Sequence, residues 1–226
     1  MSTKNKNRIP RYQRTPSKPT SPKIRPRNEA QSNFLQCMAE NDIILVAGDA
    51  GTGKTFLSVG CAVELFNKGQ IKQIVVTRPV VEAGNSLGAL PGTSDDKMTP
   101  YITPIMQELG YFVPKESLTR PPIEIAPINY MRGRTFKDSF IIVDEAQNLL
   151  EEQLKMVLTR FGEGSKMIIN GDFSQSDLPH KVRGAFESYW NKLKGVEGIG
   201  TFKFSPNDIV RHPILTRILN RLKEYT

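Results

Sequence analysis

The residues from Gly48 to Thr55 have the types and the spacing of a phosphate-binding loop. They read GDAGTGKT, which matches the Walker A pattern G-x-x-x-x-G-K-T. In such a loop, backbone N–H groups surround phosphate oxygens, Lys54 reaches the β and γ phosphates, and the Thr55 hydroxyl coordinates Mg²⁺. The alternative interpretation is a glycine-rich turn without function. The predicted nucleotide-binding residues of this loop are Gly48, Asp49, Ala50, Gly51, Thr52, Gly53, Lys54 and Thr55.

A pair of acids follows an apolar run in FIIVDEAQN, residues 140–148. If the run is a strand of a parallel sheet, Asp144 lies at its carboxyl end, where such sheets bind ligands. Asp144 then suits a Mg²⁺ contact, and Glu145 suits a general base that polarises the attacking water. The alternative is a solvated pair of charges at a strand end. Adjacent Asp and Glu favour hydrolysis of a nucleoside triphosphate by water over phosphoryl transfer to a small molecule.

A third polar cluster ends the run IINGDFSQSDLP, residues 168–179. A side chain emerging beside the acid pair could sense the γ-phosphate and orient water, and Gln175 is the candidate for this sensor role. The alternative is an ordinary turn, because Gly-Asp and Ser-Asp are good turn formers. The sequence contains no N-K-x-D motif for guanine, which argues against a GTPase.

The surrounding sequence predicts the scaffold that positions these motifs. Residues 42–48 are apolar and rich in β-branched types, as in a buried strand, whereas 54–69 have apolar residues at helical spacing. Further strands are predicted at 73–77, 123–127, 139–145, 166–171 and 201–205, and helices from Asn28 to the first strand and near 150–160, 183–194 and 213–225. This alternation indicates an α/β fold with a mostly parallel sheet and helices on both faces. The segment 78–122 is the least regular, and we expect a mobile flap or channel loop there.

Composition sets outer bounds on the protein class. A chain of 226 residues suits one domain. It has no apolar run of about 18 residues and no apolar leader, so we expect a cytoplasmic protein without a membrane segment. The two cysteines, Cys37 and Cys61, lie in apolar helical patterns, which predicts buried free thiols rather than a disulfide or a zinc site.

The basic charge is concentrated in the first 27 residues. The whole chain has 31 Lys and Arg against 23 Asp and Glu, for a net charge of +8. Nine of the cations and none of the acids lie in residues 1–27. This segment has little to bury, so we predict a disordered basic tail followed by a single domain over 28–226. The tail could hold nucleic-acid phosphates or could only aid solubility.

Six stretches, taken in order, closely resemble the PhoH family of phosphate-starvation-inducible ATPases. They are GDAGTGKT, VVTRPVVEAGNSLGALPG, PYITPIMQEL, APINYMRGRTFKDSFIIVDEAQN, LTRFGEGSKMIINGDFSQSDLP and DIVRHPILTRIL. The resemblance implies a RecA-like P-loop core similar to the first motor domain of superfamily-one helicases. It also implies ATP and Mg²⁺ as cofactors, and single-stranded RNA or another nucleic acid as a partner.

The same resemblance suggests roles for residues outside the three motifs. Gln31 resembles the glutamine that reads the adenine edge in these helicases, which favours ATP over GTP; the alternative is a solvent-facing helical residue. Arg211 resembles an arginine finger or sensor. Since one RecA-like core forms only half of a helicase cleft, we expect a homo-oligomeric ring, a hexamer, with Arg211 or Arg183 acting across the interface. Three further arginines, Arg78, Arg132 and Arg134, could contact nucleic acid or be structural.

Two functions from different classes are consistent with these motifs. The first is an ATPase that couples hydrolysis to RNA binding or remodelling. The second is a nucleotide-gated assembly that recruits a partner such as a nuclease and has little motor activity. Stimulation of turnover by RNA separates the two.

Overall fold

A six-stranded parallel sheet forms the centre of the protein. The computed structural model describes residues 22–79, 94–113, 121–179 and 182–210, together with 214, 218 and 221. The strands are β1 (Ile43–Ala47), β2 (Gln73–Thr77), β3 (Ile123–Ile125), β4 (Ser139–Val143), β5 (Lys166–Gly171) and β6 (Ile199–Lys203). Their order across the sheet is β3-β2-β4-β5-β1-β6, and every neighbouring pair is parallel. The predicted fold class is therefore confirmed.

Helices cover both faces of the sheet because successive strand residues point to opposite sides. The α-helices are α1 (Glu29–Glu40), α2 (Lys54–Asn67), α3 (Ser94–Phe112), α4 (Glu151–Leu158) and α5 (Phe186–Leu193), with short 3₁₀ helices at Ile128–Met131, Ala146–Asn148 and Pro206–Asp208. On β1, Ile44 and Val46 pack in the core under α1, α2 and α3. Leu45 and Ala47 pack in the core under α4 and α5. Burial on both faces explains why the four central strands are largely apolar, whereas the edge strands β3 and β6 are only partly buried.

The order of the strands brings the three motifs together. The strand β5 lies between β1 and β4, and the glycine-rich loop, the acid pair and the third polar cluster follow β1, β4 and β5 respectively. All three segments therefore leave the sheet at the same carboxyl edge.

The helix α3 corrects the prediction of an irregular segment at 78–122 for residues 94–112, whereas 80–93 and 114–120 lie outside the described residues. Its residues Ile105, Leu109 and Phe112 are buried at 0%, 3% and 1% exposure, and they pack in one core with α2. Their spacing of four and three residues is helical. Prolines at 100 and 104 argued against a helix, and tertiary packing against α2 overrides that local preference.

Predicted boundaries agree with the observed strands to within two residues. The predicted strands 123–127 and 139–145 end two residues earlier, and 201–205 begins two residues earlier. Asn28 caps α1 as predicted, since its side chain accepts a hydrogen bond from the Gln31 N–H. The predicted helix 213–225 lies largely outside the described residues.

The first described residues lie against the core. Ile24 is partly buried and packs against it; residues 1–21 lie outside the described part of the chain.

Both cysteines are free, as predicted, but they are half-buried rather than buried. Burial raises the pKa of the Cys61 thiol to about 11. Within the described ranges, no helix combines the length and the apolar character needed to cross a membrane.

Candidate active site

A cleft of about 250 Å³ opens at the carboxyl edge of the sheet. It is bounded by the glycine-rich loop, the residues after β4 and β5, and α3. Its lining residues are Ala50, Gly51, Gly53, Lys54, Thr55, Phe56, Glu108, Asp144, Glu145, Gln147, Asn170, Gly171, Asp172 and Gln175. Residues from all three predicted motifs therefore meet in one cavity.

The glycine-rich loop is held in shape by backbone conformation and by Gln31. Gly53 has φ of 93° and caps the start of α2. A Cβ atom at Gly53 would lie 2.7 Å from Nε2 of Gln31, and this Nε2 donates to the Thr52 carbonyl at 3.0 Å. The Thr52 hydroxyl donates to the Asp49 carbonyl at 2.9 Å. The loop thus needs glycine at position 53 for both its conformation and its close packing.

Lys54 points back over the loop into the cleft. Its ammonium donates to the carbonyls of Gly48 and Asp49. Burial lowers the pKa of Lys54, while the nearby carboxylates of Asp172, Asp144 and Glu145 oppose that shift. A partly desolvated ammonium at this position is suited to bind phosphate oxygens. Their negative charge would stabilise the cation in place of the water that it has lost.

Asp144 and Thr55 are in direct contact. The Thr55 hydroxyl donates to Oδ1 of Asp144 at 3.2 Å, and Nδ2 of Asn170 donates to the same oxygen at 3.3 Å. Burial first, and the neighbouring Glu145 second, raise the pKa of Asp144; Arg78 and the two hydrogen bonds oppose this shift. A buried carboxylate beside a hydroxyl is an oxygen donor set of the kind that Mg²⁺ takes in nucleotide sites.

Two further buried oxygens in the cleft have no hydrogen-bond partner among the described residues. They are Oδ1 of Asn170 and Oδ2 of Asp172, on side chains that are 1% and 6% exposed. Buried polar atoms in proteins are normally paired with protein or water. These oxygens supply acceptors for a hydrated cation, so the residues present fit a bound Mg²⁺.

Glu145 has an unusual backbone conformation and a carboxylate held from both sides. Its φ of 54° and ψ of 40° lie in the left-handed region, which is uncommon for residues other than glycine and clusters at functional sites. Nη2 of Arg78 lies 3.2 Å from Oε1, and Nε2 of Gln147 donates to Oε2 at 2.6 Å. This carboxylate lines the cleft.

The loop after β5 is tied to the residues after β4. Asn148 and Asp177 exchange two hydrogen bonds, each 2.9 Å long, and Gln147 accepts from the Asp172 N–H at 3.1 Å. Gln175 lies within this loop, is exposed and lines the cleft. The placement of Gln175 is compatible with the predicted sensor role, which stays a prediction.

Gln31 is buried at 4% exposure, so it is not the solvent-facing residue of the alternative interpretation. Its amide oxygen accepts from the Arg27 N–H at 2.8 Å, and its amide nitrogen binds the loop. Contact with adenine stays a prediction. Of the two arginines expected to act across an interface, Arg183 is exposed and outside the cleft lining, and Arg211 lies outside the described residues.

The other three arginines have different surroundings. Arg78 pairs with the acids of the site, a role that the sequence did not indicate. Arg134 pairs with Glu124 at 2.5 Å and lies over the Phe136 ring at 4.6 Å, contacts that favour its structural interpretation. Arg132 is exposed.

Two further residues of the site, Gln147 and Asn170, were not predicted from the sequence. Gln147 stands two residues after Glu145, and Asn170 is a polar residue that directly follows the apolar residues 167–169 of β5. An isolated polar residue near the carboxyl end of a buried strand is a signal that could have identified Asn170.

Comparison with solved structures supports the fold. The chain resembles the large terminase from a thermophilic bacteriophage with a TM-score of 0.57 at 14% identity, over 87% of this chain and 50% of the terminase. A second structure of that terminase, in complex with ADP, has a TM-score of 0.54 at 15% identity, over 84% and 48%. At these identities the likeness shows the P-loop ATPase type of fold alone.

Comparison of sequences identifies the family. The chain is 46% identical to a PhoH-like protein of Bacillus subtilis over 200 residues, 87% of this chain and 63% of the relative. It is 40% identical to Protein PhoH of Escherichia coli K12 over 211 residues, 90% and 59%. The chain thus spans about three fifths of the length of these curated relatives. The profile of PhoH-like proteins matches residues 23–223, and the chain belongs to the PhoH family.

Proposed function

We propose that this protein binds ATP with Mg²⁺ and hydrolyses it. The observation that carries the proposal is the convergence of Lys54, Thr55, Asp144 and Glu145 on one cleft. This set supplies a cation for the phosphates, two oxygen donors for a metal and a carboxylate for water. Those are the parts that phosphoryl transfer to water requires.

Each residue has a distinct task in this reaction. Lys54 and the loop N–H groups bind the β and γ phosphates, and Thr55 and Asp144 hold the metal. When bound, Mg²⁺ would neutralise charge on the phosphate oxygens. Glu145 takes the proton of the attacking water, and Gln175 orients that water.

A second cavity extends the site toward a nucleobase. It has a volume of about 420 Å³ and shares Phe56 with the phosphate cleft. Phe56 and Tyr111, whose ring centroids are 5.4 Å apart, line it together with Arg25 and Arg27. Aromatic and guanidinium groups stack on bases. The proposed adenine reader, Gln31, bonds both to Arg27 of this cavity and to Thr52 of the glycine-rich loop.

We further propose that hydrolysis is coupled to binding or remodelling of single-stranded RNA by a ring of identical subunits. The basic residues 1–27 provide cations for phosphates. Among the described residues that line the cleft, Lys54 is the only cation. Because a γ-phosphate transition state is commonly stabilised by an arginine, a neighbouring subunit that contributes Arg211 or Arg183 would complete the site. We propose a hexamer in the cytoplasm.

The decisive experiment is steady-state ATP hydrolysis with Mg²⁺, with and without single-stranded RNA. The variants are Lys54→Ala and Glu145→Gln. Acceleration by RNA that both substitutions abolish supports a nucleic-acid-coupled ATPase. Slow turnover that is indifferent to RNA but lost in both variants would instead support the nucleotide-gated assembly. Hydrolysis that persists in Lys54→Ala would overturn the assignment of the cleft.

Two measurements test the partners. Light scattering with ATP and Mg²⁺ should show an oligomer, and a fully active monomer would contradict the ring.

Deletion of residues 1–21 removes six cations but keeps Ile24 in the core. If all six contact RNA, the slope of log affinity against log salt should fall by about 4. An unchanged slope would show that residues 1–21 do not bind RNA.

A further inference from the structure

Arg78 reaches the acid pair from the neighbouring strand. It follows β2, which pairs with β4 in the sheet, and the Asp144 N–H donates to the Thr77 carbonyl at 2.9 Å. This register places Arg78 beside Glu145. Its Nη2 lies 3.2 Å from Oε1 of Glu145, and its Nη1 lies 3.8 Å from Oδ2 of Asp144. The Arg78 side chain is 22% exposed, so the pairing is shielded from much of the solvent.

The guanidinium contacts both carboxylates of the acid pair. Asp144 and Glu145 both line the phosphate cleft, whereas Arg78 is absent from the described residues of its lining. The described route by which Arg78 can affect hydrolysis is therefore through the carboxylates that it contacts.

Glu145 is held on its other oxygen as well. Gln147 donates to Oε2 at 2.6 Å and accepts from the Asp172 N–H at 3.1 Å. The carboxylate is thus fixed between a residue that follows β2 and a residue that is bonded to the end of β5. A carboxylate oxygen has two lone-pair positions, so each oxygen retains one for a water in the cleft. Strained backbone such as that of Glu145 persists only where the surroundings hold it.

We propose that Arg78 is a positioning residue for hydrolysis, which orients the Glu145 carboxylate toward the attacking water through their ion pair. This inference rests on the proposed function, because it assigns Arg78 to the step that Glu145 performs. Alignment of reacting groups contributes to rate independently of ligand affinity. Loss of Arg78 should therefore reduce kcat and leave nucleotide binding unchanged.

The first test compares Arg78→Met and Arg78→Lys with the wild type. We expect Arg78→Met to lower kcat by about 100-fold, the lower range for loss of a well-placed base, with the Kd for a non-hydrolysable ATP analogue unchanged. Arg78→Lys keeps a cation but lacks the planar guanidinium, so its kcat should be about tenfold higher than that of Arg78→Met. An unchanged or increased kcat in Arg78→Met would overturn the proposal, as would a matching loss of affinity.

Arg134→Met is the matched control. It also removes an arginine from an Arg–Glu ion pair, that of Arg134 with Glu124, but this pair does not line the cleft. Basal hydrolysis by Arg134→Met should stay close to that of the wild type. A loss of kcat equal to that of Arg78→Met would show that breaking such a pair acts through the fold, and would overturn the positioning role.

A double-mutant cycle shows whether Arg78 acts through Glu145. In a Glu145→Gln background, removal of Arg78 should have little further effect, since effects of residues that act as a unit are not additive. Sensitive phosphate-release assays can measure the residual rate. A further 100-fold loss in that background would mean that Arg78 acts elsewhere. Wild-type hydrolysis that disappears in Lys54→Ala supports the proposed function by itself, so a negative result for Arg78 leaves that function standing.

Discussion

The Thr55 hydroxyl lies 3.2 Å from Oδ1 of Asp144, although 89 residues separate them along the chain. The start of α2 and the end of β4 are thereby joined by the two residues proposed to hold Mg²⁺. The contact requires β4 to lie close to β1, with only β5 between them. A metal bound there would touch the glycine-rich loop and the sheet together.

Removal of the Thr55 hydroxyl should impair metal-dependent turnover. We expect Thr55→Val to lower kcat by on the order of 100-fold, the usual cost of losing one preorganised stabilising group, and to raise the Mg²⁺ concentration needed for half-maximal activity. Thr55→Ser keeps the hydroxyl and should remain close to wild type. Magnesium titrations of ATP hydrolysis measure both variants; equal loss in the two would argue that the methyl group, rather than the oxygen, matters.

The raised pKa of Asp144 predicts a pH-dependent cost in stability. Near pH 4, the usual pKa of aspartate, the carboxyl of Asp144 is more protonated in the folded protein than in the unfolded chain. As pH rises from there through the folded-state pKa, the unfolded chain ionises first, so the free energy of unfolding falls. Asp144→Asn lacks this ionisation and should have a higher Tm than wild type at pH 7 without Mg²⁺.

Two comparisons check this assignment of the pH effect. The difference in Tm between Asp144→Asn and wild type should shrink as pH is lowered toward 4. Saturating ATP and Mg²⁺ should raise the Tm of the wild type more than that of Asp144→Asn, because a ligand that binds the folded state stabilises it. A difference that does not vary with pH would point to a cause other than ionisation.

Two glycines with similar backbone conformation should respond differently to alanine. Gly53 and Gly69 have φ of 93° and 70°, so each substitution should cost about 1–2 kcal/mol of folding free energy from backbone strain. Only at Gly53 would the added Cβ meet a neighbour, Nε2 of Gln31 at 2.7 Å; nothing lies within 4 Å of a Cβ at Gly69. Gly53→Ala should therefore also abolish nucleotide binding, whereas Gly69→Ala retains it. Calorimetric titration with an ATP analogue distinguishes the two.

The paired hydrogen bonds of Asn148 and Asp177 should hold the loop that carries Gln175. Asn148→Asp replaces the donor to Asp177 with a second carboxylate, so we expect a loss of about 1–3 kcal/mol in stability and slower hydrolysis. Asp177→Asn keeps both an acceptor and the backbone donor and serves as the control. Denaturant unfolding measures the stability of both variants, and steady-state ATP hydrolysis measures their kcat. If Asn148→Asp unfolds normally and hydrolyses ATP at the wild-type rate, this tie does not position the loop.

Local sequence determined the parts of this protein whose physics is local. The apolar runs predicted the four central strands, because strands buried on both faces must be continuously apolar. The edge strands β3 and β6, which are only partly buried, were also predicted. The spacing of Gly48, Gly53, Lys54 and Thr55 predicted the phosphate loop, because that spacing encodes backbone geometry directly. The side-chain cap at Asn28 was likewise identified from its neighbours.

Only the tertiary structure decided which distant residues share the site. The sheet order places β2 beside β4, and this pairing brings Arg78 to Glu145, a contact between residues 67 apart in sequence. Packing of Ile105, Leu109 and Phe112 against α2 stabilised a helix where local sequence indicated an irregular segment. Likewise, Asn170 lies beside Asp144 because β5 pairs with β4. Such contacts depend on pairing between strands that are far apart in sequence, so they cannot be predicted from local propensities.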